Sequence, residues 1–333
     1  MAAGETQSVQ GLVAPPRRGG RRSSVRSWRR SDQLIFACAW AAGLGLCLVA
    51  GAIVVFLAVE GLQYLDPTLL VTSPSASVNQ AGSGGFLDPL IGTITMAALG
   101  TLIATPLAVL TAVWVVEYGR PRWLAAAVET SIEMIAGTPD IVIAIFGLAF
   151  FQLGILAPFS FRASGGGVYG RSFLAAGIMM SLLALPLTYS ATRNGLRALP
   201  RQQREASFAL GKTRAATIRR VLLPSLRPDI ATGATLGLGR IVGSTAIIVL
   251  LLGATLQNSP QNSVPLLGFL RGTGSTLTSY IFFNSPAGEG NAPQKAYAAA
   301  FVLLLIVLGL NWIVGRVSRI GAGAALNAGR MAR

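Results

Sequence analysis

The chain has 333 residues, 52% of them hydrophobic and only 12% charged, about half the charged share of an ordinary soluble domain. Its 27 Lys+Arg against 12 Asp+Glu leave a formal charge of +15, and it contains no histidine, the commonest metal ligand and general base. The positive charge falls in tails and one loop between apolar blocks of about 20 residues, long enough to cross a hydrocarbon core of roughly 30 Å, so the pattern predicts an all-α polytopic membrane protein and excludes a nucleic-acid binder.

Residues 1–33 carry Pro15-Pro16 and seven arginines from Arg17 to Arg30. With nothing to bury, this segment is expected to be a disordered, Arg-rich cytoplasmic tail. Leu34 to Val59 reads as the first membrane helix, too long for the apolar region of a signal peptide. Cys38 and Cys47 lie in it on nearly opposite helix faces, too far apart for a disulfide. The stretch 60–86 has no Lys or Arg and therefore faces outward. A second helix spans 89–116, with Gly92, Gly100 and Pro106 inside it, and Arg120 and Arg122 return the chain to the inner side.

Residues 123–136 read as a more amphipathic helix that breaks at Gly137-Thr138-Pro139-Asp140. Thr138 suits an N-cap, Pro139 the first helical position, and Asp140 the positive end of the dipole. A third span is expected over 140–156, after which a Gly-rich outer loop, 157–172, leads to a fourth at 172–191. The stretch 193–227 holds nine Lys+Arg and the single acid Glu205, which marks it as cytoplasmic. A fifth span follows at 229–252. The polar outer loop 254–296, with an aromatic patch at Tyr280 to Phe283, precedes a sixth span at 296–314 and a tail, 316–333. Six spans with both termini cytoplasmic is a self-consistent count. The halves show no internal repeat, which argues against an inverted-repeat transporter.

Between the fourth and fifth spans lies Glu205 to Pro224, EASFALGKTRAATIRRVLLP. Its Gly211-Lys212-Thr213 invites a phosphate-loop reading, but that motif needs a Gly where Ala206 stands, and no strand precedes it. A basic helix lying on anionic lipid accounts for the arginines, though not for the spacing of Glu, Gly and Leu-Pro. The alternative is a mechanical contact. Glu205 would sit by a helix start, Ala206, Ser207 and Ala209 would leave a slim face for a partner's groove, Gly211 would permit a sharp turn, and Pro224 would set the segment off from the fifth span. Within that span Arg240 costs about 2.5–3.5 kcal/mol by insertion scales, so it faces protein or a water-filled cavity. There it either meets an anion or pairs with an acid on another helix or subunit, or with backbone carbonyls. The spacings Gly233/Gly237 and Gly239/Gly243 let neighbouring backbones approach closely.

Glu205, Ala206, Gly211, Leu223 and Pro224 are similar, in register, to the coupling motif of permease subunits of binding-protein-dependent ABC importers, with Ser207 and Val221 as mild changes. The resemblance implies a type I importer permease fold of six membrane helices, whose cytoplasmic coupling helix docks on a separate ATPase dimer. Glu205, Ala206, Ser207 and Gly211 would form the ATPase contact, and Leu223 and Pro224 would position the return to the membrane. Gly84-Gly85 to Thr93, Ala136 to Val142 and Gly239 to Thr245 resemble stretches of the phosphate-specific permeases, the A-type (PstA) more than the C-type (PstC). Two departures stand out: Asp140 replaces a usual Ser, and Ser244 a usual Glu. By resemblance, Arg240, Ser244, Thr245, Thr138 and Asp140 line the substrate path. The implied partners are the ATPase, a second, PstC-like permease, an extracytoplasmic phosphate-binding protein and membrane lipid. No cofactor is implied on the chain itself, ATP being used by the ATPase. An intramembrane transferase and an ATP-independent transporter remain as alternatives, as does a permease for sulfate or molybdate.

Overall fold

The computed structural model describes residues 30–75, 84–159, 170–253, 258, 265–286, 288 and 292–331. Residues 1–29 of the predicted tail lie outside them, as do parts of the predicted outer loops at 76–83, 160–169, 254–257, 259–264, 287 and 289–291. Residues 1–56 and 57–333 form separate compact units. The described part of the first belongs to α1 (Arg30–Tyr64), which begins four residues before the predicted span. Leu34, Trp40, Leu46, Leu48 and Val55 are all exposed on it, and Cys38 and Cys47 are exposed free thiols. A helix that is apolar all round is built for hydrocarbon.

The second unit starts within α1 and continues with a short α2 (Pro67–Val71), capped by the Asp66 carboxylate accepting from the Thr68 amide at 2.9 Å. Then come α3 (Leu87–Val113), extended by a π turn over Trp114–Tyr118, α4 (Arg122–Gly137), α5 (Asp140–Phe151) and α6 (Phe173–Ala198). The chain between α6 and the next span carries α7 (Arg201–Ala209), α8 (Arg214–Thr217), a π turn Ile218–Leu222 and α9 (Leu223–Ser225). It ends with α10 (Arg227–Gly243), α11 (Ala246–Leu251), α12 (Pro265–Arg271), α13 (Leu277–Asn284) and α14 (Pro293–Met331).

Among the described residues four helices are long and apolar enough to cross a membrane: Arg30–Tyr64, Leu87–Tyr118, Phe173–Ala198 and Pro293–Arg316. A fifth is obtained if α4 and α5, bent by 109° at their junction, count as one span. The predicted fifth span, 229–252, is not one helix. It breaks at Ser244, whose ψ of 116° leaves the helical region, and restarts as α11. The break exposes the Val242 carbonyl, which accepts the Thr278 hydroxyl at 2.7 Å, as an orphaned helix-end acceptor must. Two further elements were hidden in the predicted polar loop. Of these, α13 carries the Tyr280–Phe283 patch, and its N-terminus is set by a Thr276–Ser279 capping box. The last helix does not stop near 314 but continues to Met331.

The centre of this unit is α6 packed between α3 and α10. One apolar cluster, with Met96, Ile143, Met180, Ile241 and Leu251, joins α3, α5, α6, α10 and α11. A second, with Ala112, Ile132, Tyr189, Leu196, Leu222 and Leu226, fills the arginine-rich end. The two Gly spacings on α10 have different fates. A Cβ on Gly233 would lie 2.8 Å from the Thr188 Cα, and one on Gly237 3.1 Å from the Ala184 Cβ, so this pair does let α10 close on α6. Gly239 and Gly243 have nothing within 4 Å.

Candidate functional site

The segment between α6 and α10 folds as an elbow. Pro200 holds φ at −58° before α7, and the helix formers Arg201-Gln202-Gln203-Arg204-Glu205-Ala206 carry it forward. It ends in a Schellman turn: the Gly211 amide donates to the Phe208 carbonyl (2.9 Å) and the Lys212 amide to that of Ser207 (3.2 Å). This geometry requires the left-handed φ of +71° at Gly211, which glycine adopts without a Cβ penalty. The amides of Gly211 and Lys212 are thus directed back into α7, so the Gly-Lys-Thr run closes a helix. Thr213 then N-caps α8 through the Ala216 amide.

Several expectations for the elbow are corrected. Because α7 starts at Arg201, Glu205 lies beyond the first turn, which contains no acid, so the dipole argument for it fails. Ser207 is not on the outer face. It is buried, with its hydroxyl 2.8 Å from that of Thr217, and since Thr217 donates to the Thr213 carbonyl, Ser207 is the donor that clasps the two arms. The outer face is instead Ala206, Phe208, Ala209, Leu210 and Gly211, with Leu210 76% exposed. Phe208 and Leu210 were legible as the large apolar residues at the tip of a polar segment. Pro224 does not break the chain away from α10. The π turn before it opens the ladder where proline has no amide to donate, and Leu226 links α9 to α10 with φ −87° and ψ −3°. Leu223 packs on the cluster at this end.

Arg204, which sequence reasoning missed, fixes the elbow to the bundle. Its Nε and Nη2 donate to the Glu117 carboxylate at 3.0 and 2.8 Å, and its Nη groups also reach the Leu196 and Leu199 carbonyls. Nearby, Glu129 of α4 receives Arg193 (2.7 Å), Arg197 (3.2 Å) and the Tyr189 hydroxyl (3.4 Å) of α6. A cleft of about 490 Å³ opens between Glu117, Arg201, Arg204 and Glu205.

The second constellation lies where α10 breaks. Arg240, in its last turn, donates to Asp140, the first residue of α5, at 2.6 Å. The Arg240 side chain is 47% exposed and that of Asp140 24%. Of the five residues expected on the substrate path, these two are brought together. Ser244 is buried, and its hydroxyl has no hydrogen-bond partner among the described residues. Thr245 caps α11 from the backbone. Thr138 is not an N-cap: it ends α4, its hydroxyl returned to the Met134 carbonyl, and Pro139 takes the cap position of α5. The acid that meets Arg240 thus comes from another helix, α5. Among the described residues no group of three metal-ligating side chains occurs.

Residues 104–319 match the family of binding-protein-dependent transport system inner membrane components. The chain is 32% identical over 295 residues, 86% of its length and 88% of the relative's, to a probable ABC transporter permease protein, YqgH, of Bacillus subtilis. It is 32% identical over 229 residues, 69% of each chain, to phosphate transport system permease protein PstA 1 of Mycobacterium tuberculosis. Its fold is that of a bacterial ABC transporter involved in import of the acidic polysaccharide alginate, with a TM-score of 0.59 over 87% of this chain and 96% of that one at 16% identity. The chain belongs to the inner-membrane components of binding-protein-dependent transport systems.

Proposed function

We propose that this chain is the A-type permease subunit of an ATP-driven importer that moves inorganic phosphate across a bacterial cytoplasmic membrane. The observation that carries the reading is the elbow: a rigid, clasped turn that presents Phe208 and Leu210 outward at the end of an otherwise basic segment. Exposed apolar residues at the tip of a polar element mark a contact surface. The partner that fits is the ATPase dimer, whose closure on ATP pushes the elbow and changes the side from which the bundle is open. This chain itself hydrolyses nothing. A second, C-type permease completes the path, and an extracytoplasmic binding protein delivers phosphate to the outer loops. The arginine distribution supports a cytoplasmic elbow and cytoplasmic termini.

Phosphate is the cargo carried over from relatives such as the phosphate permease PstA 1, and Arg240 supplies a half-exposed cation for it. A guanidinium does not by itself distinguish tetrahedral oxyanions, so sulfate and molybdate are the competing substrates to include in any assay. The test is phosphate uptake into vesicles holding the complete complex, with Leu210→Asp and Gly211→Pro as elbow variants. Proline cannot adopt the φ of +71° at 211. Uptake should need ATP and all partners, and each variant should lose the ATPase or hydrolyse ATP with at least tenfold less uptake. ATP-independent uptake by the chain alone, or unchanged coupling in both variants, sinks the reading.

A further inference from the structure

The elbow is attached to the bundle in two ways. Its exit arm runs through α8, the second π turn and α9 directly into α10, so α10 follows it by covalent continuity. Its attachment to α3 is made by side chains. Arg204 of α7 holds Glu117, and the Arg214 guanidinium of α8 lies 5.4 Å from the centre of the Tyr118 ring. Each arm of the elbow therefore grips one of two adjacent residues of the π turn that ends α3.

From this arrangement we infer that the π turn Trp114–Tyr118 is the receiver of the elbow's movement, with Arg204–Glu117 and Arg214–Tyr118 as a two-point strut that carries it into α3. The inference rests on the reading of the elbow as the ATPase contact. The first contact is built for transmission. Glu117 is 11% and Arg204 20% exposed, and the same guanidinium also caps the Leu196 and Leu199 carbonyls at the end of α6. A displacement of α7 therefore reaches the ends of α3 and α6 through one planar, multiply bonded group. A π turn carries an extra residue within the helix and is a recurrent feature of functional sites. Here it closes on the left-handed Gly119, φ +45°, whose amide donates to the Trp114 carbonyl at 2.8 Å. The cleft beside Glu117, Arg201 and Arg204 leaves space into which α7 can pivot. The pair is mostly buried, so a single substitution leaves its partner uncompensated, and the double variant, which removes both charges, is the gentler test of the strut.

The test uses the complete transporter carrying Glu117→Gln, Arg204→Gln, the double variant, and Tyr118→Leu. Three quantities are read: ATPase retained on the purified complex, ATP hydrolysed, and phosphate taken up per ATP. The expected result is retained ATPase and hydrolysis within about twofold of the unmodified complex, with uptake per ATP reduced about tenfold. The double variant should be no worse than either single one, because the two residues act as a unit. Unchanged uptake per ATP in Glu117→Gln and Tyr118→Leu overturns the strut while the elbow reading stands. Loss of the ATPase only in the variants also overturns it, since the contacts would then merely shape the docking surface. If the unmodified complex fails to hold its ATPase, the elbow reading falls, and the strut with it.

Discussion

At the scale of single residues, Arg240 and Asp140 carry the clearest consequence. Their pair joins α10 to the start of α5 at 2.6 Å, with nearly half of the arginine side chain exposed. A charge within a membrane span is costly unless it is paired or faces water, and Asp140 offsets that cost for Arg240. On the proposed reading Asp140 occupies the guanidinium as an internal anion, with which phosphate would compete. Arg240→Ala should therefore abolish uptake, with at least a tenfold loss, while the complex still assembles. Asp140→Ser should impair uptake with a melting shift of no more than a few degrees. Moving the acid to the residue that caps α10, in Asp140→Ser/Ser244→Glu, should recover much of the activity, because positions 240 and 244 are about one turn apart at the helix end. Uptake measured in these three variants checks the argument, and normal uptake in Arg240→Ala removes it. The sequence made Arg240 conspicuous as a charge within an apolar span. It could not reveal the partner, since Asp140 is 100 residues away and read equally well as a helix start.

At the scale of elements, helix existence was largely legible and helix continuity was not. Hydropathy marks how much apolar chain is present, so 89–116 and 172–191 were placed close to α3 and α6. It does not register a change of direction at two residues, which is why the break at Ser244 was invisible and why the break read at Gly137 to Asp140 came without its 109° angle. Nor did polarity betray α13, whose buried Thr276 and Ser279 are polar because they form its capping box. The elbow shows the same limit: its place was clear from charge, but an assumed start at Glu205 rotated the faces and turned Ser207 outward. Packing on α10 offers a direct check of which glycines matter. Gly233→Ala forces a Cβ to within 2.8 Å of the Thr188 Cα on α6 and should destabilise by about 1–3 kcal/mol. Gly239→Ala meets nothing within 4 Å and should be neutral or stabilising by up to about 1 kcal/mol. Thermal melting of the two variants in one detergent decides it; equal shifts would mean that α10 does not close on α6 as described.

At the scale of the molecule, the elbow and the Arg240 pair stand at opposite ends of one helix. From Arg227 to Arg240 α10 rises about 20 Å at 1.5 Å per residue, so on the proposed reading a push at the elbow would reach the ion pair along a single helix. Its apolar side is fixed to α6 and, through Leu238 and Val242, to Leu303 and Val307 of α14. The exposed side carries Arg240 and Gly243, three residues apart and hence on one face. If that face borders the phosphate path, its access has to alternate as the ATPase closes and opens. Gly243→Cys makes this measurable, because the open space around Gly243 admits a thiol and the two native thiols, Cys38 and Cys47 on α1, are removable by serine. In that background a membrane-impermeant thiol reagent should label Cys from the cytoplasmic side in the nucleotide-free complex and from the outer side when ATP is trapped. A several-fold exchange between the two rates is expected. Labelling that is the same in both states would place this face of α10 against lipid or the second permease, and would detach Arg240 from the moving phosphate.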